Sequence, residues 1–276
     1  MQFLTSILVT LLSASQIQPP SYVSKPNASV SIDAYYKWIE MYKDILSNQI
    51  PSKPPNHLRL ASYNLHYQVD RRDDSDSTRK ILQTITHINP DVLVLQELSV
   101  PQEKRFRKHL DKLGYRIASI CRTNEELANA VVVRKGIDTL HSTKFQTSYN
   151  RCAVSAEIRF NELIYNVIGT HLSVENEAKR IEEVQVILKG NMSGKNVILA
   201  GDMNSQEDEL SIKMIKSAGL RNVFEGKNKP SMTCWAGTTI DFIMSSSGVI
   251  ADGAYVFGSD ASDHLPILVD LRSVTI

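Results

Sequence analysis

The sequence predicts an α+β fold in which strands form a mixed sheet, or two sheets, covered by helices. Three observations carry that expectation. From residue 57 onward, apolar runs of strand length alternate with stretches of helical period. The first of these units have βαβ character. A central block of strand-like runs then follows without an intervening helix, as antiparallel strands do. The chain has 276 residues, of which 42% are hydrophobic and 22% charged, enough for one large domain or two small ones. Its formal net charge of +1 argues neither for a protein that coats a polyanion nor for an acidic one.

The chain opens with MQFLTSILVTLLSAS, an apolar run followed by small residues. Such a run suits a signal-peptide core and is too short to span a bilayer, although no Lys or Arg precedes it. Residues 1–17 are therefore read as a signal peptide or apolar leader. The first reading places the protein in the secretory pathway or outside the cell, the second in the cytoplasm. Residues 18–56 form a linker bracketed by Pro19-Pro20 and PSKPPN, and within it Ile32, Tyr36, Ile39, Tyr42 and Leu46 recur at the spacing of an amphipathic helix. Residues 57–276 form the main domain. No other long apolar segment follows the leader, which excludes a multi-pass membrane protein.

Within that domain LRLASYNL reads as a strand, STRKILQTITHI as a helix and DVLVLQEL as a strand opening after Pro90. PQEKRFRKHLDKLG is a helix with Pro at its start and Gly114 at its end, so its basic cluster Glu103 to His109 reads as a solvated helix face. The runs YRIASI, NAVVVR, CAVSAEIRF and LIYNVIGTHL supply the central strands. VENEAKRIEEVQVILKG is a helix, NVILAGD a strand, and DELSIKMIKSAG a helix closed by Gly219. TTIDFIM and PILVDLR complete the strands. Cys121, Cys152 and Cys234 show neither zinc nor redox spacing and form no disulfide framework. One bridge plus a free thiol and three buried thiols both remain open.

Polar residues of a restricted kind interrupt or end these apolar runs. They are Asn64 in SYNLH, Gln96 and Glu97 in LQE, His171 in GTHL, and Asp202 and Asn204 in GDMN. Asp241 in IDFI and the pair Asp263 and His264 in SDH complete the set. If the strand carrying Asp202 continues, Asp202 and Asn204 share one face and Met203 turns to the other. An unpaired carboxylate beside an apolar run is costly, and few Lys or Arg occupy comparable positions. If the strand ends converge, the least costly counterion is a hard divalent cation such as Mg²⁺, since the oxygens present suit it better than zinc. A cation of that kind beside His264, with Asp241 holding its ring, and Asp202 handling a water is what hydrolysis of a phosphate ester requires.

In this order, the six motifs resemble the endonuclease/exonuclease/phosphatase superfamily, the DNase I-like fold, over roughly residues 57 to 272. The resemblance implies a four-layer αββα sandwich, two mixed β-sheets face to face with helices outside, and a site at one end of the sheets. It implies Asn64, Glu97 and Asp263 as metal ligands for Mg²⁺, with Mn²⁺ as a substitute. It makes His171, Asp202, Asn204, Asp241 and His264 catalytic. Asn129 in NAVVVR and Arg151 in NRCAV fall where such proteins place substrate-binding polar residues. His171 in its T-H-L setting resembles the DNase, sphingomyelinase and phosphatase branches more than the abasic-site endonucleases.

The implied activity is that of a metal-dependent hydrolase, first a phosphodiesterase of DNase type acting on nucleic acid. The alternatives are a lipid head group or small phosphoester as substrate, and a non-catalytic binding module. The last would be expected to break one of Glu97, Asp202, Asp241 or His264, and none is broken. Arg71 and Arg72 offer contacts to nucleic-acid phosphates, but Asp70, Asp73, Asp74 and Asp76 beside them cancel most of that field. Trp235 in TCWAG is a candidate for the site rim. No obligate protein partner is inferred, and the oligomeric state is open.

Overall fold

Each strand of the central block needs a neighbour for its backbone groups, and two six-stranded sheets provide them. The computed structural model describes residue 45, residues 50–66 and residues 75–274 apart from 102, 125, 191, 193, 195 and 228. The leader, Arg71 and Arg72, and all of the predicted linker helix except Ile45 lie outside the described residues. Ile45 itself is helical and buried.

The elements run β1 (Leu58–Asn64), α1 (Ser75–Ile88), β2 (Val92–Ser99), α2 (Glu103–Lys112), β3 (Tyr115–Arg122) and β4 (Leu127–Arg134). Then come β5 (Asp138–Ser148), β6 (Arg151–Phe160), β7 (Leu163–His171), α3 (Glu177–Gly190) and β8 (Val197–Asp202). The last are α4 (Leu210–Ser217), β9 (Arg221–Asn222), β10 (Asp241–Ser245), β11 (Val249–Val256) and β12 (Ile267–Ser273). One sheet has the order β11-β12-β1-β2-β4-β3 and the other β5-β6-β7-β8-β10-β9. Each holds a single parallel pair, β1 with β2 and β7 with β8, and is antiparallel elsewhere. The helix between each parallel pair is the crossover such a pair requires.

Alternation along the strands separates three apolar layers. Leu58, Leu60, Val92 and Val94 face Val154, Val167, Ile198 and Ile243 between the sheets. Intervening residues such as Ala61, Leu93 and Leu95 pack under Ile81, Ile85, Phe106 and Leu110 of α1 and α2. On the far side Ile168, Leu199 and Met203 pack under Val184, Ile187, Ile212 and Ile215 of α3 and α4. Burying each such Leu or Ile contributes about 2 kcal/mol. Glycine sets the closest approaches. A Cβ on Gly169 would meet Val94 Cγ1 at 2.7 Å between the sheets, and one on Gly201, whose φ is 151°, would meet the Thr170 carbonyl oxygen at 1.9 Å.

This is the predicted four-layer sandwich, with several differences. β5, β9 and β11 were not anticipated; β5 and β11 are edge strands and β9 has two residues. α2 begins at Glu103 rather than at Pro101, and its basic residues are exposed while Phe106 and Leu110 are buried. Cys121 and Cys152 form a disulfide between β3 and β6, and Cys234 is a buried free thiol. Of the two alternatives left open, one bridge plus a free thiol is the one found.

Candidate active site

Parallel strands run with their C-termini to one end, and there register places the polar residues side by side. On the second sheet, His171 of β7 is paired with Asp202 of β8, and Asp202 with Asp241 of β10. Three adjacent strands thus present an imidazole and two carboxylates in one row. On the first sheet, Asn64 ends β1 beside Gln96. Gln96 is fully buried and bonds Ser62 and the Val94 carbonyl, a structural role.

Glu97 does not end its strand. It sits in a register break between Leu95 and Leu98, with φ 52°. The bulge and the left-handed backbone turn its side chain toward the site, at a conformational cost typical of functional positions. His66 (φ 46°) and Asn204 (φ 45°) share that backbone region. The strand carrying Asp202 therefore does not continue as expected. It stops at Asp202, whose Oδ1 accepts the Asn204 N–H at 2.9 Å in a tight turn. Met203 does enter the core beside α4. Asn204 donates its side-chain amide to the Leu172 carbonyl at 2.9 Å.

The sheets meet at Asn64. Its Nδ2 donates to Asp202 Oδ2 at 3.0 Å and to Glu97 Oε1 at 3.1 Å, while its Oδ1 accepts the His66 N–H at 3.0 Å. His264 Nδ1 lies 2.9 Å from Asp241 Oδ2, and its Nε2 lies 3.6 Å from Asp202 Oδ2. His171 Nε2 approaches the same Asp202 oxygen at 3.5 Å, and its Nδ1 lies 3.9 Å from Glu97. Asp202 is thus flanked by two histidines and buried.

The two imidazoles titrate in opposite directions. Burial lowers the pKa of His171 to about 4, reinforced by the charges of Arg151 and His264 and opposed by Asp202. Burial also disfavours charge on His264, but the carboxylate of Asp241, with Asp202 and Asp263 behind it, raises its pKa well above the ordinary value. Near neutral pH, His171 is therefore neutral and His264 protonated. Burial raises the Asp202 pKa, and Asp241 adds to that while His171 and His264 oppose it. Asp263 resists burial through a 2.9 Å contact with His66 and the His264 charge, so its pKa is lowered.

Glu97 and Asp202 converge on one amide, and neither pairs with Lys or Arg among the described residues. That oxygen-rich, cation-poor arrangement fits a hard divalent cation. Asp202, Asp241 and His264 also offer ligand atoms within 4.8 Å of one another. His264 and Asp241 already satisfy each other through a proton that a cation would have to displace, so Glu97 is the freer ligand.

Asn129 and Arg151 are less central. Asn129 is buried, with Nδ2 on the Cys152 carbonyl at 2.9 Å and its Oδ1 unpartnered. Arg151 begins β6, and its charge reaches His171. Trp235 is not an exposed rim residue. It is buried, donating Nε1–H to the Ser262 carbonyl at 3.0 Å and N–H to the Asp263 carbonyl at 2.8 Å.

Three supporting residues escaped the sequence reading. Thr233 Oγ1 accepts the N–H groups of Ile240 and Asp241, at 3.0 and 3.1 Å. Ser262 donates to the Asn64 carbonyl at 2.7 Å and accepts the His264 N–H at 3.1 Å, tying the histidine loop to the first sheet. His66, the last residue of SYNLH, reaches Asp263 at 2.9 Å through a positive φ of 46° that sequence spacing does not reveal.

Two buried carboxylates and two imidazoles meet at the open end of an αββα sandwich, a set of groups suited to phosphoester hydrolysis. The chain belongs to the endonuclease/exonuclease/phosphatase family, whose model matches residues 61–264. No curated protein sequence matches it significantly. Among solved structures it is similar to a mannosyl-6-phosphatase from Bacteroides thetaiotaomicron, with TM-score 0.69, 18% identity, and coverage of 78% of this chain and 99% of that one. It is also similar to the human Nocturnin catalytic domain with bound sulfate, with TM-score 0.68, 19% identity and coverage of 80% and 96%. A third likeness is to D. rerio TDP2 complexed with a single-strand DNA product, with TM-score 0.64, 20% identity and coverage of 79% and 99%.

Proposed function

We propose that the protein is a Mg²⁺-dependent phosphodiesterase acting on nucleic acid, of DNase type. The observation that carries this reading is buried Asp202, with one oxygen 3.5 Å from His171 Nε2 and 3.6 Å from His264 Nε2, and Asp241 fixing the His264 ring at 2.9 Å. Glu97 would hold the cation, joined by Asn64 through its Oδ1, which accepts the His66 N–H, and by Asp263, which contacts the same His66, and the ion would supply positive charge to the phosphate.

Asp202 orients the attacking water and takes its proton, and its raised pKa improves it as a base near neutral pH. His264 is positioned to donate from Nε2 to a phosphoryl oxygen while its Nδ1–H stays on Asp241. Asn204 spends one amide hydrogen on Leu172 and keeps the other for the phosphate. His171 can donate or accept without adding charge. Arg151, whose charge reaches His171, would contact substrate, and Asn129, buried with its Nδ2 on the Cys152 carbonyl, would support that strand from beneath. The TDP2 complex with a DNA product supports nucleic acid as the substrate class.

Nicking of supercoiled plasmid by protein lacking residues 1–17, with Mg²⁺ or EDTA, tests the reading. Mg²⁺-dependent nicking that disappears in His264→Ala is the expected result. No nicking, with turnover of sphingomyelin or sugar phosphates instead, would overturn the substrate. The reading extends to secretion, supported by the apolar leader and the Cys121–Cys152 bridge. A mature N-terminus at Met1 would count against cleavage of the leader.

A further inference from the structure

Asn204 is aimed only as well as the acceptor that holds it. Its side-chain amide donates to the Leu172 carbonyl at 2.9 Å, and that carbonyl belongs to the peptide unit joining Leu172 to Ser173. The N–H of the same unit donates to Glu183 Oε2 of α3 at 2.7 Å. The peptide is trans, so its C=O and N–H point in opposite directions, and one rigid plane separates the carboxylate from the amide. Leu172 is held on its other side too, because its own N–H donates to the Asp202 carbonyl at 3.0 Å. Glu183 Oε1 accepts Ser148 Oγ–H at 2.5 Å. Both bonds to Glu183 have the short lengths that a charged acceptor gives. Three residues earlier on α3, Arg180 grips the next peptide. Its guanidinium donates to the Ser173 carbonyl at 3.3 Å and to Glu209 Oε2 at 2.6 Å, while Glu209 Oε1 accepts the Gln206 N–H at 3.0 Å. The loop after His171 and the turn that carries Asn204 are thereby tied to one helix.

Stability alone does not call for a carboxylate at this position. Glu183 is fully buried on the helix face that carries Val184 and Ile187, and it forms no ion pair with Lys or Arg among the described residues. An apolar side chain of the same length would spare the fold that desolvation. We propose that Glu183 is a positioning residue for the phosphate-contacting amide of Asn204, acting through the Leu172–Ser173 peptide. This rests on the reading above in which Asn204 meets the phosphate. An Asn amide is planar, so fixing one Nδ2 hydrogen on Leu172 fixes the direction of the other. Hydrogen bonds in a chain polarise one another, so a carboxylate on the peptide N–H also strengthens its C=O as the acceptor for Asn204. Without that carboxylate the peptide plane is free to turn, and the Asn204 amide turns with it. Arg180 steadies the same loop from the next carbonyl.

The test uses turnover of bis(p-nitrophenyl) phosphate. Glu183→Met, similar in length and without an acceptor, is expected to lower kcat about tenfold or more, with KM and the Mg²⁺ concentration for half-maximal activity little changed. Glu183→Gln, whose amide oxygen still accepts the Ser173 N–H, should recover most of that loss. In an Asn204→Ala background Glu183→Met should cost little more, because the residue it acts through is gone. Ser148→Ala, which breaks the other bond to Glu183, should keep kcat near the wild-type value. Full turnover in folded Glu183→Met, losses that multiply in the double variant, or an equal loss in Ser148→Ala would each overturn the positioning role while leaving the reading of Asn204 intact. Should Glu183→Met fail to fold, the ¹H–¹⁵N spectrum of Glu183→Gln decides. The Ser173 N–H and Asn204 Nδ2 resonances are expected to move upfield together, and an Asn204 pair left in place would overturn the relay. If Asn204→Ala alone keeps full kcat, Asn204 does not meet the phosphate, and the positioning role falls with that reading.

Discussion

Replacing Asp241 by Asn removes a charge while keeping shape, and the structure says how the loss should depend on pH. The Asp241 carboxylate lies 2.9 Å from His264 Nδ1. At an effective dielectric constant of about 20, that pair attracts by about 6 kcal/mol, and burial of the ring takes back a share. Asn keeps the shape but removes most of that attraction, so the pKa of His264 falls back toward its ordinary value. Activity that needs protonated His264 should then drop little at acid pH and progressively more as pH rises, so that the alkaline limb moves to lower pH. The assay is the pH profile of kcat/KM for bis(p-nitrophenyl) phosphate in both proteins. Stability follows the same sign. Because the folded pKa is raised, the pair's contribution is complete below the unfolded value near 6.5 and is lost as pH rises through the folded one. Urea unfolding should show that loss in the wild type and a flatter profile in the mutant. An alkaline limb that stays in place in Asp241→Asn would refute the coupling of the two residues.

Glu97→Gln should raise the Mg²⁺ concentration for half-maximal activity at least about tenfold and reduce the Tm increase that Mg²⁺ gives, and an unchanged metal titration would remove Glu97 from the ligand set. Asp202→Asn should cost about a thousandfold in kcat yet leave Tm unchanged or raised, because a buried carboxylate whose pKa is already pushed up is an electrostatic burden on the fold. On the acid side, burial of neutral His171 predicts up to about 3 kcal/mol of stability present above its unfolded value and lost as pH falls toward 4, read as the difference between wild type and His171→Gln in urea unfolding. Gly201→Ala should cost about 3 kcal/mol or more by thermal melting, since its Cβ would overlap the Thr170 carbonyl.

The site was legible where chemistry coincides with strand periodicity. His171, Asp202 and Asp241 stand beside apolar runs because they occupy adjacent register positions, and the runs themselves gave their strands. Glu97 and Asn204 were legible as residue types but not as conformations. A bulge and two positive φ values place them, and neither leaves a trace in hydrophobic spacing. β5 escaped because an edge strand exposed along most of its length has no alternation to read, and β11 because Asp252 and Gly253 interrupt it at a register shift. The supporting contacts of Ser262 and His66 join segments far apart in sequence, Thr233 acts within a local loop, and their residue types alone resemble ordinary turns.

Asp202 and His264 are proposed to act together, with a divalent cation, on a phosphodiester. Turnover of bis(p-nitrophenyl) phosphate by the wild type, His264→Ala and Asp202→Asn, each with Mg²⁺ and with EDTA, tests it most directly. Mg²⁺-dependent turnover in the wild type and loss of about a hundredfold or more in each variant are expected, with folding intact by circular dichroism. Turnover that survives EDTA, or that either folded variant retains in full, would contradict it.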